Sequence, residues 1–220
     1  MLIQVRNSCD DFNSYRAARV KSLFNAESGA NFDLDADLPI EGEDWRIGVV
    51  VGPSGSGKTS IGRLIFGDAE VYPEPDWPAD QPIVDVIGAG GSFDAVTGAL
   101  AAVGLGDVPT WLRPFPVLSN GEKFRATLAR VIADAPARVV LDEFTSVVDR
   151  QVAKIGSHAV QKYVRKGGTK FVAVSCHYDI AEWLEPDWVY QPHTGEFVAG
   201  RLLQRPKIEL EVIRVHRQAW

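Results

Sequence analysis

The chain has 220 residues, 45% of them hydrophobic, which suits one ordinary domain with a real core and excludes wholesale disorder. Its 23 Lys+Arg against 29 Asp+Glu give a formal net charge of −6, so a nucleic-acid role would need a local basic patch that the total conceals. Only two cysteines occur, Cys9 and Cys176, with no CxxC or Cys/His metal spacing, and a reducing, cytoplasmic location is expected.

In chain order, the N-terminal MLIQVRNSCDDFNSYRAARVK breaks every apolar run with charge and lacks the hydrophobic centre of a signal peptide. Nowhere do about 18 apolar residues run together, so no direct membrane insertion is expected. Asn31 to Ile40 (NFDLDADLPI) alternates apolar and acidic residues, the pattern of a half-buried antiparallel strand. Ile47 to Val51 (IGVVV) reads as a buried strand and Gly57 to Phe66 as a helix. The prolines at 73, 75, 78 and 82 make 71–82 a loop or extended connector. Ile87 to Gly98 reads as a second flexible stretch, followed by a short helix in ALAAVGLGDV.

Glu122 to Ala133 places Phe124, Leu128, Val131 and Ile132 at helical spacing, with Pro136 beyond the end. Arg138 to Leu141 and Lys170 to Val174 are two more buried strands. Strands alternating with helices imply a mostly parallel sheet with crossover helices on its faces. Lys207 to Val215 alternates again, and an apolar aromatic end at Trp220 is expected of a chain cut from something longer. Cys176, beside His177 on a strand-like run, is expected to point inward as a small filler.

The most specific signal is GPSGSGKT, comprising Gly52, Pro53, Ser54, Gly55, Ser56, Gly57, Lys58 and Thr59, with Ser60 following. It satisfies G-x-x-x-x-G-K-[ST] directly after a strand and before a helix. The glycines let backbone N–H groups turn inward at a helix N-terminus, where the dipole favours phosphate. Lys58 adds a point charge for the β- and γ-phosphates, and the Thr59 hydroxyl is placed to ligate Mg²⁺. At 138–144, RVVLDEF is a strand ending in two carboxylates, with Asp142 suited to face a metal and Glu143 to polarise water. LSNGEKFRA opens a helix with Ser119 as N-cap and Glu122 three residues on, a capping box in form.

With these three in place the chain resembles the ABC ATPases. LSNGE stands where that family has LSGGQ, and Ser119 lies 23 residues before Asp142. SVVD, ending at Asp149, matches the D-loop pattern SALD, and His177 follows the next strand 35 residues beyond Asp142, where the family carries its switch histidine. The resemblance runs from Gly52 to His177 and implies a P-loop NTPase fold with an N-terminal antiparallel β portion and a helical subdomain, here shortened and loop-rich over roughly residues 71–135. It implies one domain over 1–220, with 201–220 a strand-like tail or junction.

The resemblance further implies a homodimer that sandwiches ATP and Mg²⁺. Ser119 and Gly121 would bind the γ-phosphate held by a partner's Lys58, Glu143 would be the general base, His177 would contact the γ-phosphate, and Asp149 would bridge the protomers. Lys58, Glu143 and His177 are thus the catalytic set, and Thr59, Asp142 and Gln81 the metal set. Two departures stand out: Asn120 and Glu122 replace Gly and Gln of the signature, and Glu122 adds negative charge near a phosphate. The metal-touching glutamine maps best to Gln81, only 23 residues beyond Lys58 and therefore early. For the adenine-stacking aromatic, Phe24, 28 residues before Gly52, lies near the expected distance, while the alternatives Phe32 and Trp45 are expected to pack in the strands around them.

The leading expectation is an ATP-hydrolysing ABC-type ATPase that couples hydrolysis to a conformational step. Its rivals are the ATPase subunit of a membrane transporter, a DNA-associated ABC ATPase and a non-hydrolysing ATP sensor. The DNA reading leans on Lys162, Arg165, Lys166 and Lys170, which equally suit a solvated helix face. A small nucleotide kinase shares the phosphate loop but has no use for LSNGE, DEFTSVVD and the histidine in sequence. The chain also looks like the ATPase portion of bacterial and phage ABC proteins that carry an acetyltransferase-like domain after the ATPase, which makes such a domain a further expected partner, fused or separate.

Overall fold

The chain opens with a two-stranded antiparallel ribbon, β1 (Leu2–Ser8) paired with β2 (Asn31–Asp37), in a computed structural model that describes residues 1–25, 31–67 and 77–200. The alternation read at the start of NFDLDADLPI is therefore a strand, and its partner β1 adds Ile3 and Val5 to the same buried face. Between them stands α1 (Tyr15–Phe24), capped by the Ser14 hydroxyl, which buries none of its residues.

The main sheet follows. β3 (Ile47–Val51), β4 (Arg138–Leu141), β5 (Lys170–Ser175), β6 (Trp188–Gln191) and β7 (Glu196–Ala199) lie in the order β4-β5-β3-β6-β7. The pairs β3–β5, β3–β6 and β4–β5 are parallel, and only β7 runs antiparallel. All three strands expected from the apolar runs are present, and the mostly parallel α/β sheet is the one they implied.

Every residue of β3 is buried because both faces of the sheet are covered. Ile47, Val49 and Val51 face one core with Phe171, Ala173 and Val189, while Val50 faces the other with Val172 and Val174. The first core is closed by α6 (Asn120–Asp134), α7 (Arg150–Lys166) and α8 (Ile180–Leu184), together with the shorter α3 (Ile83–Val86), α4 (Phe93–Ala102) and α5 (Val108–Trp111). The second is closed by α2 (Lys58–Ile65) and the β1–β2 ribbon.

Small residues set the close approaches. A Cβ on Gly62 would lie 2.8 Å from Val174, so α2 sits directly on the sheet. A Cβ on Gly48 would lie 2.0 Å from the Trp188 ring, which fills that space edge-on to Trp45. At the foot of the sheet, the Arg46 and Ile47 amides donate to Asp187 Oδ2 at 2.7 and 3.0 Å, and Arg165 Nη1 reaches both Asp187 oxygens. Burial pushes the Asp187 carboxyl up, but these amides and the guanidinium overcome it and hold it below its ordinary range.

One local expectation is corrected. Half of the stretch read as flexible over 87–98 is helix, because Ser92 accepts from the Ala95 amide and starts α4 at Phe93. The preceding Gly88, Gly90 and Gly91 concealed that cap. The described part of the proline-rich connector, 77–82, holds no helix, as expected, and α3 begins just after it with Pro82 at its N-cap. The remainder of that connector up to residue 76 and the strand-like run at 207–215, with the rest of 201–220, lie outside the described residues.

Candidate functional site

Parallel strands bring their C-terminal ends to one edge, and this edge gathers the motifs. From the end of β3 the chain turns through Gly52–Gly57 into α2. Gly55 and Gly57 take φ of 78° and 83°, the left-handed region that favours glycine. Gly57 carries a second constraint, since a Cβ there would lie 2.8 Å from Leu34 and 2.9 Å from Phe32 on β2. As N-cap it offers no side-chain bond, which leaves the first amides of α2 without a side-chain partner. Lys58 Nζ donates to the Pro53 carbonyl at 2.7 Å and Ser56 Oγ to the same carbonyl at 2.9 Å, so both polar heads fold over the loop. Ser60 accepts from Asn7 of β1 at 3.3 Å, which ties the ribbon to α2.

Asp142 follows β4 directly, and its Oδ1 accepts from the Glu143 amide at 2.9 Å. Glu143 and Thr145 both have positive φ, 52° and 67°, an uncommon state for any residue with a Cβ and a strained one for a β-branched threonine. Asp142, Glu143 and Thr59 line one cavity of about 700 Å³ with Arg63, Trp77 and Lys123. Two oxygen donors there, the Thr59 hydroxyl and the Asp142 carboxylate, suit Mg²⁺, which takes few protein ligands and completes its shell with phosphate and water. Among the described residues no group of three His, Cys, Asp or Glu forms a metal cage.

Beyond β5, Ser175 stitches two motifs together: its hydroxyl donates to the Phe144 carbonyl at 2.8 Å and accepts from the His177 amide at 3.1 Å. The Phe144 amide donates to Val174 O at 2.9 Å. Asp149 caps α7, accepting from Gln151 N and Val152 N. Cys176 is exposed, not buried, with its Sγ 4.0 Å from Ser146 Oγ. Alternation of faces holds only inside a strand, and β5 ends at Ser175.

The capping box at α6 is closed. Ser119 N and Oγ both donate to Glu122 Oε2, at 2.8 and 2.7 Å, and Glu122 N donates back to Ser119 Oγ at 3.4 Å. The Ser119 hydroxyl and amide hold the Glu122 carboxyl below its usual range. Thr110 Oγ1 lies 2.6 Å from Asp107 and 3.2 Å from Glu122 Oε1, and its single proton serves one carboxylate at a time.

The structure thus brings Thr59, Asp142 and Glu143 together around the cavity with Asn120 of the signature, while Lys58, Ser60, the loop 52–57, Ser119, Gly121, Asp149 and His177 do not line it. Gln81 is exposed just before α3 and does not line it either; Trp77, which the sequence did not single out, does. Of the three aromatics, Trp45 is buried and stacked on Phe66, Phe32 packs over Gly57, and Phe24 ends α1 largely exposed. The basic run is divided: Arg165 is engaged by Asp187, and Lys170 lies 4.7 Å over the Trp45 ring. Two residues that sequence reasoning missed are Arg150 and Asp179, 29 positions apart and joined side chain to side chain.

No protein-family model matches the chain. It is 32% identical over 166 residues, 60% of its own length and 68% of the relative's, to the cytochrome c biogenesis ATP-binding export protein CcmA of Rhodospirillum rubrum. The chain belongs to the ABC ATP-binding proteins. Like that family it is an ATPase of the P-loop type, and ATP is its nucleotide. The energy-coupling factor transporter ATP-binding protein EcfA1 of Leuconostoc mesenteroides is 24% identical over 82% of this chain and 79% of its own. Among solved structures, the dimeric post-hydrolysis state of the ATP-binding cassette MJ0796 bound to ADP and Pi matches with a TM-score of 0.57 at 13% identity, covering 87% of this chain and 94% of that one. That likeness supports the ABC cassette fold. Among the described residues no helix is long and apolar enough to cross a membrane.

Proposed function

We propose that this ABC ATPase binds ATP with Mg²⁺ at residues 52–60, pairs with a second copy around two nucleotides, and hydrolyses ATP to time a conformational step. The observation that carries the reading is the split of the motifs. Thr59, Asp142 and Glu143 line one cavity, which α6 of the same chain walls with Asn120 and Lys123, whereas Ser119 and Gly121 at the start of that helix do not line it. In this reading a partner's Ser119 and Gly121 meet the nucleotide from the opposite side. The 71–135 segment, described from residue 77, is then a short helical arm that presents Ser119.

Loop amides and Lys58 hold the β- and γ-phosphates and stabilise charge as it moves toward the leaving ADP. Thr59 and Asp142 hold Mg²⁺, which when bound neutralises phosphate charge; Gln81 would have to move toward the cavity to join them. Glu143 takes a proton from the attacking water as its oxygen bonds the γ-phosphorus and the bond to ADP breaks. His177 steadies the γ-phosphate from the loop after β5, and Asp149, at the start of α7, lies at the join between copies.

The test is the solution mass of Glu143→Gln by light scattering, with and without ATP–Mg²⁺, beside phosphate release by the unaltered chain. A monomer that dimerises only with ATP, and hydrolysis that the variant loses, are expected. Nucleotide binding with neither dimer nor phosphate overturns the reading in favour of a sensor.

A second reading is favoured by relatives named as export and transporter ATP-binding proteins: the same ATPase as motor for a separate membrane partner. Purification from membranes as a stable complex with an integral protein is its expected result. Recovery of the intact chain without one counts against it.

A further inference from the structure

The segment after β4 and the segment after β5 are fastened at both ends. Near the strands the Ser175 hydroxyl joins them, as described above. Farther out, Arg150, the first residue of α7 and the neighbour of Asp149, sets a bidentate guanidinium on Asp179: Nε donates to Oδ2 at 2.9 Å and Nη2 donates to Oδ1. The other guanidinium nitrogen, Nη1, lies 3.5 Å from Oγ1 of buried Thr145, whose φ is 67°. The guanidinium also stands 4.9 Å over the Trp183 ring of α8.

Asp179 departs from the local rule at its position. It is the N-cap of α8, where aspartate ordinarily accepts from the helix's first amides. Here it makes no cap bond, while Ser119 and Asp149 cap their own helices normally. The Asp179 backbone is already helical there, φ −67° and ψ −18°, which leaves the carboxylate to the guanidinium, and it stands two residues beyond His177. The Arg150 side chain, carried by the residue adjoining Asp149, therefore touches both the strained turn that follows Glu143 and the loop that carries His177.

We propose that Arg150 is a positioning residue for His177. Its clamp on Asp179 fixes the His177 loop to the start of α7, so that a partner copy pressing on Ser146–Asp149 sets His177 for the γ-phosphate. The inference rests on the sandwich reading and adds to it the part that relays closure. Lysine cannot replace arginine here, because a single ammonium loses the fork on Asp179 and the contact with Thr145.

The experiment measures ATP hydrolysis by the full chain as Arg150→Lys, Asp179→Asn, His177→Ala and the double variant Arg150→Lys/His177→Ala, with melting curves for each. A displaced catalytic group of this kind costs roughly 10- to 100-fold in rate. Arg150→Lys and Asp179→Asn are expected to lower kcat by about tenfold or more with KM for ATP within about twofold. In the His177→Ala background, Arg150→Lys is expected to cost nothing further, since it acts through that histidine. A purely structural arginine would multiply its loss onto His177→Ala, and that outcome overturns the clamp while leaving the sandwich standing. Wild-type kcat in folded Arg150→Lys likewise overturns the clamp alone. Unchanged kcat in His177→Ala overturns the role given to that histidine, and the relay with it.

Discussion

Two helix N-termini in this chain are proposed to meet phosphate, and they are finished in opposite ways. α2 begins at Gly57, with no side chain over its first amides and Lys58 folded beside them. α6 begins at Ser119 with both halves of its capping box made and a carboxylate lying across its entrance. The positive end of the dipole is the same in both. What differs is access, for the first site can accept an anion as it stands, while the second must release Ser119 from Glu122 before that hydroxyl can donate to anything else. The difference suits a division of labour in which one copy holds nucleotide alone and the other helix joins only on closure.

The largest effect should come from closing the open end. Gly57→Ala puts a Cβ 2.8 Å from Leu34 and 2.9 Å from Phe32 on a backbone at φ 83°. Ribbon and loop must both give way, and left-handed strain adds about 1 to 2 kcal/mol. ATP at about 100 times its Kd should stabilise the unaltered chain by about 2.7 kcal/mol. In the variant that thermal shift should vanish, with nucleotide affinity down by more than about 100-fold. A variant that folds and keeps the full ATP shift would show that the loop does not need its glycine.

The same contrast explains what was legible in the sequence. The α2 end could be read because its requirements are local: glycines at fixed offsets, a strand before and a helix after. Asp142 and Glu143 could be read for the same reason, lying at the end of a β-branched run. The capping box was visible in form, but that its carboxylate also meets Thr110 and competes with Asp107 depends on α5, twelve residues upstream. β6 and β7 escaped because WVYQ and EFVA lack the β-branched run that marked the equally short RVVL of β4, and β1 because only Ile3 and Val5 mark its inner face. The Arg150–Asp179 clamp was invisible because nothing within 29 residues of chain records a tertiary pairing.

A smaller effect should come from opening the closed end. Glu122→Gln keeps the box, since a glutamine oxygen accepts from Ser119 as well as a carboxylate does. It also resolves the competition at Thr110, whose proton can go to Asp107 while the new amide donates to the hydroxyl oxygen. Removing one charge a few ångströms from phosphate, partly screened, should strengthen ATP-driven dimerisation in the Glu143→Gln background by about tenfold. Sedimentation at graded ATP concentrations would measure it. Weaker dimerisation in the folded double variant would mean that the carboxylate assists the clamp.

The smallest effect is one of pH, and its sign is fixed by the box. The Ser119 hydroxyl and amide favour charged Glu122, so its folded-state pKa lies below the value of about 4.3 for a free glutamate. A depressed carboxyl contributes stability that is fully present above the unfolded pKa and is lost as pH falls through the folded one. The stability difference between the unaltered chain and Glu122→Gln should therefore stay flat from pH 8 to about pH 5 and change only on further acidification, by no more than the roughly 1 kcal/mol of a helix cap. Carbon-13 titration of the Glu122 carboxyl in the free protein should give a midpoint below about 4.3. A midpoint above that would mean the box is open in solution, and the two helix ends would then differ in charge alone.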